Sequence, residues 1–340
     1  MMYVPVIIIT LCRFEELKRC IESLQRNPYA QNTELYVGVD YPSKDSHREG
    51  YAKIVKYLRD GVDGFANIQI IEQAENKGWF DNFISVRDVV YQKYDRFIYL
   101  EDDIETSPNF LQYMNINLDR FEDDDNVQCI CGYSYPFHWK ADGNNIVKVN
   151  TYFAAWGYGT WRKKEQEMYD AISMSVFDTY MHQIGRMLSF FKASPNQFCN
   201  FIKGMVEYIP VLVKDDEIVK LDIAFSIHIY MNNKCSIFPK VSKTRNIGYG
   251  DAGMNCDTIA IDESRPVNAR NFDYTHQEID TECEYHLQLE ENLSLWQENN
   301  DKLKQFYHVE TKESIRVMLA YMMYLLLGRQ RTQKLLRRHN

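Results

Sequence analysis

The sequence predicts an α/β fold, a mostly parallel central sheet flanked by helices, with a helical extension toward its C-terminal end. Three observations lead there. Over residues 1–135, short apolar runs of strand length alternate with longer stretches whose apolar residues recur every three or four positions. Alternation of this kind builds parallel sheets in layers with helices. Polar residues from several separate stretches also fall at the carboxyl ends of the strands, where such sheets bind ligands.

Residues 4–10 (VPVIIIT) form a β-branched first strand, and 13–27 the helix after it, with Phe14, Leu17, Ile21 and Leu24 on one face. Strands at 34–40 and 67–72 flank a helix at 46–60, and a helix at 79–94 leads to a fourth strand at 96–100. That strand runs into Glu101, Asp102 and Asp103, with Glu105 just beyond. Ser107-Pro108 suits the start of a helix at 109–121. A fifth strand covers 127–133. Residues 136–275 read as short segments, loops and aromatic clusters such as TYFAAWGYGTW, and 276–340 as helical, including 284–306.

The chain is 45% apolar and 26% charged over 340 residues, the composition of a globular protein. Its net charge of -9 argues against nucleic-acid binding, which needs basic stripes. Its eight cysteines form no CxxC pair and are expected reduced, in a cytoplasmic protein. The apolar run near the start is strand-sized and is read as a strand rather than a signal peptide. No run reaches the roughly eighteen apolar residues of a membrane span.

The acidic cluster poses the sharpest question. Adjacent carboxylates repel unless they face water or a cation lies between them. Hard oxygen ligands suit Mg²⁺ or Mn²⁺, and the alternative is a solvated acidic cap on the helix that follows. Thr10 and Arg13 follow the first strand, where a helix start and a guanidinium suit phosphate, or where Arg13 is a solvated first-turn residue. Asp40 ends the second strand and suits either a base or ribose contact or a turn. Asn76, Lys77 and Gly78 follow the third strand. No GxGxxG or GxxxxGK[ST] follows the first strand, which excludes a dinucleotide fingerprint and a P-loop.

Together these stretches resemble the GT-A glycosyltransferases, above all bacterial family 2 enzymes and the Golgi N-acetylglucosaminyltransferase I family. The match covers about residues 4–255 and is carried by PVIIITLCRFEELKRCIESL, ELYVGVD, FIYLEDDIETSPNFLQYM and TYFAAWGYGTWRKK. The resemblance implies a nucleotide-binding half at 1–135, an acceptor half and lid at 136–275, and a C-terminal extension at 276–340. It also implies Asp103 as ligand of Mn²⁺ or Mg²⁺, with Glu101 and Asp102 at the ribose and sugar. Arg13 would meet the diphosphate and Asp40 the base, with Trp156 and Gly157 in the floor of the site. In VKLDIAFSIHIYMNNKCSIFPKVSKTRNIGYGDAG, Asp222 takes the catalytic-base position, and Lys243, Arg245 and Gly248 a lid over the donor. Asn255 stands where the family often has His. The implied activity is metal-dependent inverting transfer from a nucleotide-sugar, UDP being the favoured carrier, to a glycan or lipid-linked glycan acceptor. The competing expectations are a sugar-binding scaffold without turnover and a sugar-phosphate nucleotidyltransferase. TLCRFEE lacks the Gly-rich loop the latter needs.

From Ser314 to Asn340 there are six basic residues and no acid. This amphipathic tail is expected either to meet an anionic membrane surface, placing the protein at the inner face of the cell membrane, or to pack on the domain.

Overall fold

The computed structural model describes residues 3–206, 213–214, 217–218, 221–248, 268–269, 272–290, 293 and 296–336. In chain order the first half contains β1 (Val6–Thr10), α1 (Phe14–Gln25), β2 (Glu34–Val39), α2 (Arg48–Gly61), β3 (Asn67–Glu72), α3 (Gly78–Val90), β4 (Arg96–Glu101), β5 (Ile104–Thr106), α4 (Phe110–Arg120) and β6 (Val127–Cys131). There follow β7 (Ile146–Val149), β8 (Tyr158–Trp161), α5 (Arg162–Asp170), α6 (Met174–His182), α7 (Ile184–Ala193), α8 (Pro195–Val206), β9 (Val213–Lys214) and β10 (Glu217–Ile218). Last come α9 (Leu221–Met231), β11 (Cys235–Pro239), β12 (Thr244–Asn246), α10 (Trp296–Phe306), α11 (Thr311–Leu327) and α12 (Arg329–Leu336).

Eight strands make one sheet in the order β3-β2-β1-β4-β8-β6-β11-β7. Neighbours β3, β2, β1 and β4 are parallel, as is β6 with β11, while β8 and β7 run against their neighbours. The α/β class expected from the sequence is therefore the observed one, and strands from 136–275 complete the sheet that 1–135 begins.

Why β1 lies at the centre follows from its residues. All five are buried. Val6 and Ile8 enter one apolar cluster with Leu17, Ile21 and Leu24 of α1, while Ile7 and Ile9 enter the other with Phe83 and Val86 of α3. Period-two side chains thus feed cores on both faces, each such residue contributing roughly 1.5–3 kcal/mol.

Two stretches depart from expectation. Residues 162–206 fold as α5 to α8 rather than loops. These helices are only 9 to 12 residues long, follow one another through short breaks, and begin with the largely polar RKKEQEMYD of α5. Residues 284–290 are not helical. Tyr285 is buried and Leu287 and Leu289 half-buried, alternating with exposed His286, Gln288 and Glu290. The backbone there is bonded by Asn144, Asn145 and Gln112. The spacing of two, not of three and four, was the operative signal. Helix formation resumes at Trp296.

Candidate active site

On leaving β1 the chain runs outward through β2 to β3, then returns to β4 on the other side of β1. Connections diverge there, and sheets of this kind bind ligands in the crevice beyond the carboxyl ends of such strands, here β1 and β4. Ile9 pairs with Glu101 in register, so Thr10 and the residues after it face the acidic cluster.

Arg13 is the N-cap of α1. Its guanidinium forks onto both aspartates, donating to Asp103 Oδ2 at 2.8 Å and pairing with Asp102 Oδ1. Thr10 Oγ1 donates to Asp102 Oδ2 at 2.8 Å. The cation that makes adjacent aspartates tolerable is therefore, in the first instance, an arginine 90 positions away in sequence. One guanidinium does not balance the cluster. Asp102 and Asp103 are 4% and 5% exposed, and burial lifts both above the usual carboxylate range even with Arg13 opposing. Asp102 reaches about 6. Burial and then the charges of Asp103 and Asp102 push Glu101 up to about 8. Arg13, despite its own burial, is held more firmly protonated by the two aspartates.

Asp103 Oδ1 is buried and, among the described residues, accepts no hydrogen bond. A buried carboxylate oxygen without a donor is costly and marks a position for a cation. Among the described residues no three His, Cys, Asp or Glu side chains are gathered to hold an ion alone. Mg²⁺ and Mn²⁺ fit this arrangement, because hard cations accept one or two carboxylates and complete their shell with water and phosphate oxygens.

Three further stretches hold the crevice in shape. Asp40 is 4% exposed and its carboxylate is saturated. Oδ1 accepts from the N–H groups of Tyr41 and Lys77, and Oδ2 from Gly78 N–H and Asn76 Nδ2, at 2.8–3.0 Å. Of the two roles open to Asp40, the structure displays the turn-holding one. It fixes Asn76 to Gly78 at the start of α3, where Gly78 has φ +74°. Next, β5 pairs antiparallel with β12, and Ile247 N–H donates to Asp103 O at 2.8 Å. This ribbon lays Gly248 on Asp103: a Cβ there would lie 2.1 Å from Asp103 Oδ2. Finally, Gly157, at φ +83°, leads into β8 beside the end of β4. Trp156 stacks edge-on to Tyr133 and Tyr274 at 4.8 and 5.4 Å.

The expected lid cations are engaged elsewhere. Lys243 is buried, paired with Asp280 and facing the rings of Tyr113 and Tyr285. Arg245 donates to Glu105 Oε2 at 2.8 Å, joined there by Arg19 and Arg26. Burial alone would raise the Glu105 carboxyl, yet the Arg245 and Arg19 contacts hold it below the usual range. Glu105 is thereby turned to arginines and not to the aspartate pair. Expected as lid residues over the donor, Lys243 and Arg245 here anchor the ribbon through Asp280 and Glu105, and Gly248 lies against Asp103. Asn255 lies outside the described residues. Asp222 is exposed in the first turn of α9, and its charge is among those raising Glu101, so the two share one electrostatic neighbourhood.

One contributor escaped the sequence altogether. Gly50 of α2 abuts the loop carrying Arg13, where a Cβ would lie 1.9 Å from the Cys12 carbonyl oxygen. A glycine inside an otherwise regular helix was the only available sign.

No protein-family model and no curated protein matches the sequence. Among solved structures, the mannosyltransferase PcManGT from Pyrobaculum calidifontis, in complex with GDP-Man and Mn²⁺, is similar at 12% identity and a TM-score of 0.35, over 49% of this chain and 46% of that one. TarS of S. aureus, residues 1–349, gives 11% and 0.34 over 49% and 50%. A second TarS structure gives 13% and 0.30 over 44% and 25%. The chain spans half the length of these proteins or less.

Proposed function

We propose that the chain is a metal-dependent, inverting glycosyltransferase of the GT-A type. It would move a sugar from a nucleoside-diphosphate sugar, a UDP-sugar first, to a hydroxyl of a glycan or lipid-linked glycan, as in bacterial surface polysaccharide synthesis. The observation that carries this reading is the orphaned Oδ1 of Asp103 in the crevice between β1 and β4, amid more carboxylates than Arg13 can neutralise.

Asp103 would hold Mn²⁺ or Mg²⁺, with Asp102 and Glu101 beside it. Bound there, such an ion supplies charge neutralisation for a departing diphosphate. The protein's own groups do the rest. Arg13 neutralises Asp102 and Asp103 in the resting state and is freed toward the diphosphate once that charge is otherwise met. Gly248 permits the β5–β12 ribbon to close on Asp103 without a side chain in the way. Asp40 sets the path of Asn76, Lys77 and Gly78, and with it the wall on the nucleotide side; Trp156 and Gly157 form the floor. Asp222, at the exposed start of α9, would take the proton of the attacking acceptor hydroxyl.

A second reading draws on the same arginine. Because Arg13 already pairs with both aspartates, the crevice is also suited to binding a sugar ligand without an ion and without turnover. Hydrolysis or transfer from UDP-, GDP- and dTDP-sugars, with and without Mn²⁺, in wild type and Asp103→Ala separates the two. Turnover that needs Mn²⁺ and is lost in Asp103→Ala supports the transferase; no turnover with any donor supports the scaffold.

A further inference from the structure

We propose that the outer face of α11 docks on an anionic lipid surface, so that the protein works as a peripheral membrane protein. α11 is packed on one side only. Val317, Ala320, Tyr321 and Tyr324 are buried, Tyr321 against Phe198 of α8 with ring centroids 5.7 Å apart, and its hydroxyl on Met181 O at 2.7 Å.

Opposite them, Ile315, Leu319, Met322 and Leu326 are 56%, 51%, 45% and 83% exposed. Their spacing of four, three and four places them in one narrow stripe, about 16 Å long at 1.5 Å per residue. A helix so partnered has no internal reason to show large aliphatic residues to water.

Charge selects the occupant. Before the stripe exposed Lys312 lies between exposed Glu310 and half-buried Glu313, while exposed Arg316 lies beside the stripe and exposed Arg331 and Lys334 follow it on α12. From Ser314 onward the sequence contains no acid, although the chain as a whole carries -9. A second copy laid on this stripe in parallel would set the cationic α12 ends against each other. An anionic bilayer meets the basic α12 end with opposite charge and takes the aliphatic stripe into its interface, each nearby cation being worth about fivefold in binding. Among the described residues no helix is long and apolar enough to cross a membrane, so the expected mode is lying on the surface. An acidic body with one basic, apolar edge would also be oriented by that surface.

The test is flotation of the full chain with vesicles of phosphatidylcholine, alone or with about one third phosphatidylglycerol, at low and high salt. Wild type should float with the anionic vesicles, weakly with neutral ones, and less in high salt. Leu319→Glu with Leu326→Glu should reduce flotation at least tenfold. Lys312→Ser with Arg331→Ser and Lys334→Ser, which leaves the apolar stripe intact, should lose on the order of a hundredfold, only on anionic vesicles. The proposal is overturned if wild type does not float, if it floats equally on neutral vesicles, or if both variants float like wild type. A stable dimer in sedimentation, dissolved by Leu319→Glu, would equally overturn it by assigning the stripe to a second copy. No donor or divalent ion enters this assay, so its failure leaves the transferase reading standing.

Discussion

Replacing Arg13 by methionine removes the cation shared by Asp102 and Asp103 while keeping an unbranched apolar stem. The guanidinium meets Asp103 Oδ2 at 2.8 Å and pairs with Asp102, whose exposures are 5% and 4%. One such contact at about 4 Å is worth roughly 4 kcal/mol at an effective dielectric of 20, and breaking a buried pair costs about 3–5 kcal/mol. The variant avoids part of this by protonating a carboxyl. Asp102 already titrates at about 6, so keeping it neutral at pH 7.5 costs only about 2 kcal/mol. The net loss is therefore about 2 kcal/mol at pH 7.5, roughly 3 °C in thermal unfolding for a chain of this size. The sign with pH follows from the raised carboxyls. In the fold they bind protons that the unfolded chain has released, so stability falls as pH rises through their folded values. Removing Arg13 raises them further, and the variant's deficit should widen above pH 6 and close toward pH 5.5. Mn²⁺ should restore more stability to Arg13→Met than to wild type, because in wild type Arg13 competes for the same carboxylates. Identical melting curves for variant and wild type at both pH values, with no larger Mn²⁺ response, would refute the reasoning.

Gly248→Ala places a methyl 2.1 Å from Asp103 Oδ2, so either the ribbon or the carboxylate must shift; Mn²⁺ binding in the presence of UDP should weaken at least tenfold in calorimetry, while far-ultraviolet dichroism is unchanged. Asp40→Asn keeps the shape of the side chain but sets an NH₂ against two donors, one of them the N–H of Lys77 or Gly78; about 1–3 kcal/mol should be lost in urea unfolding, with a larger rise in KM for donor than fall in kcat. His228 is buried in α9, its Nε2 without a partner among the described residues, and, chiefly through burial, its pKa is lowered to about 4. The unfolded chain therefore takes up its proton first, and up to about 3 kcal/mol should be lost as pH falls from 6.5 toward 4, a slope that His228→Leu should flatten in urea midpoints measured across that range.

The part of this architecture legible in sequence is the part set by local pattern. The β-branched run of β1 and the three- and four-residue spacing in α1 state their own structures, and alternation then puts Glu101 to Asp103 at a strand end. What joins those strand ends is not local. That Arg13 forks onto Asp102 and Asp103 depends on β1 and β4 being neighbours, which an intervening pair of strands conceals. Asp40 shows a similar limit: its four donors come from Tyr41 and from residues 76–78, across a neighbouring strand. For Lys243 and Arg245 the sequence does not show the partners, Asp280 and Glu105, that the fold sets opposite them. Along 284–290 the two-residue period of Tyr285, Leu287 and Leu289 is present in the sequence but brief, and it runs into the helical pattern that follows.

In the proposed reaction Asp103 receives a divalent ion together with a diphosphate. Electron paramagnetic resonance of Mn²⁺ titrated with the protein and UDP tests this directly, since the free-ion signal falls as the ion is bound. Wild type should take up close to one ion per chain in the presence of UDP, and Asp103→Asn, which keeps the shape but loses the charge, should bind at least tenfold more weakly. Equal uptake by wild type and Asp103→Asn, or none by either, would contradict it.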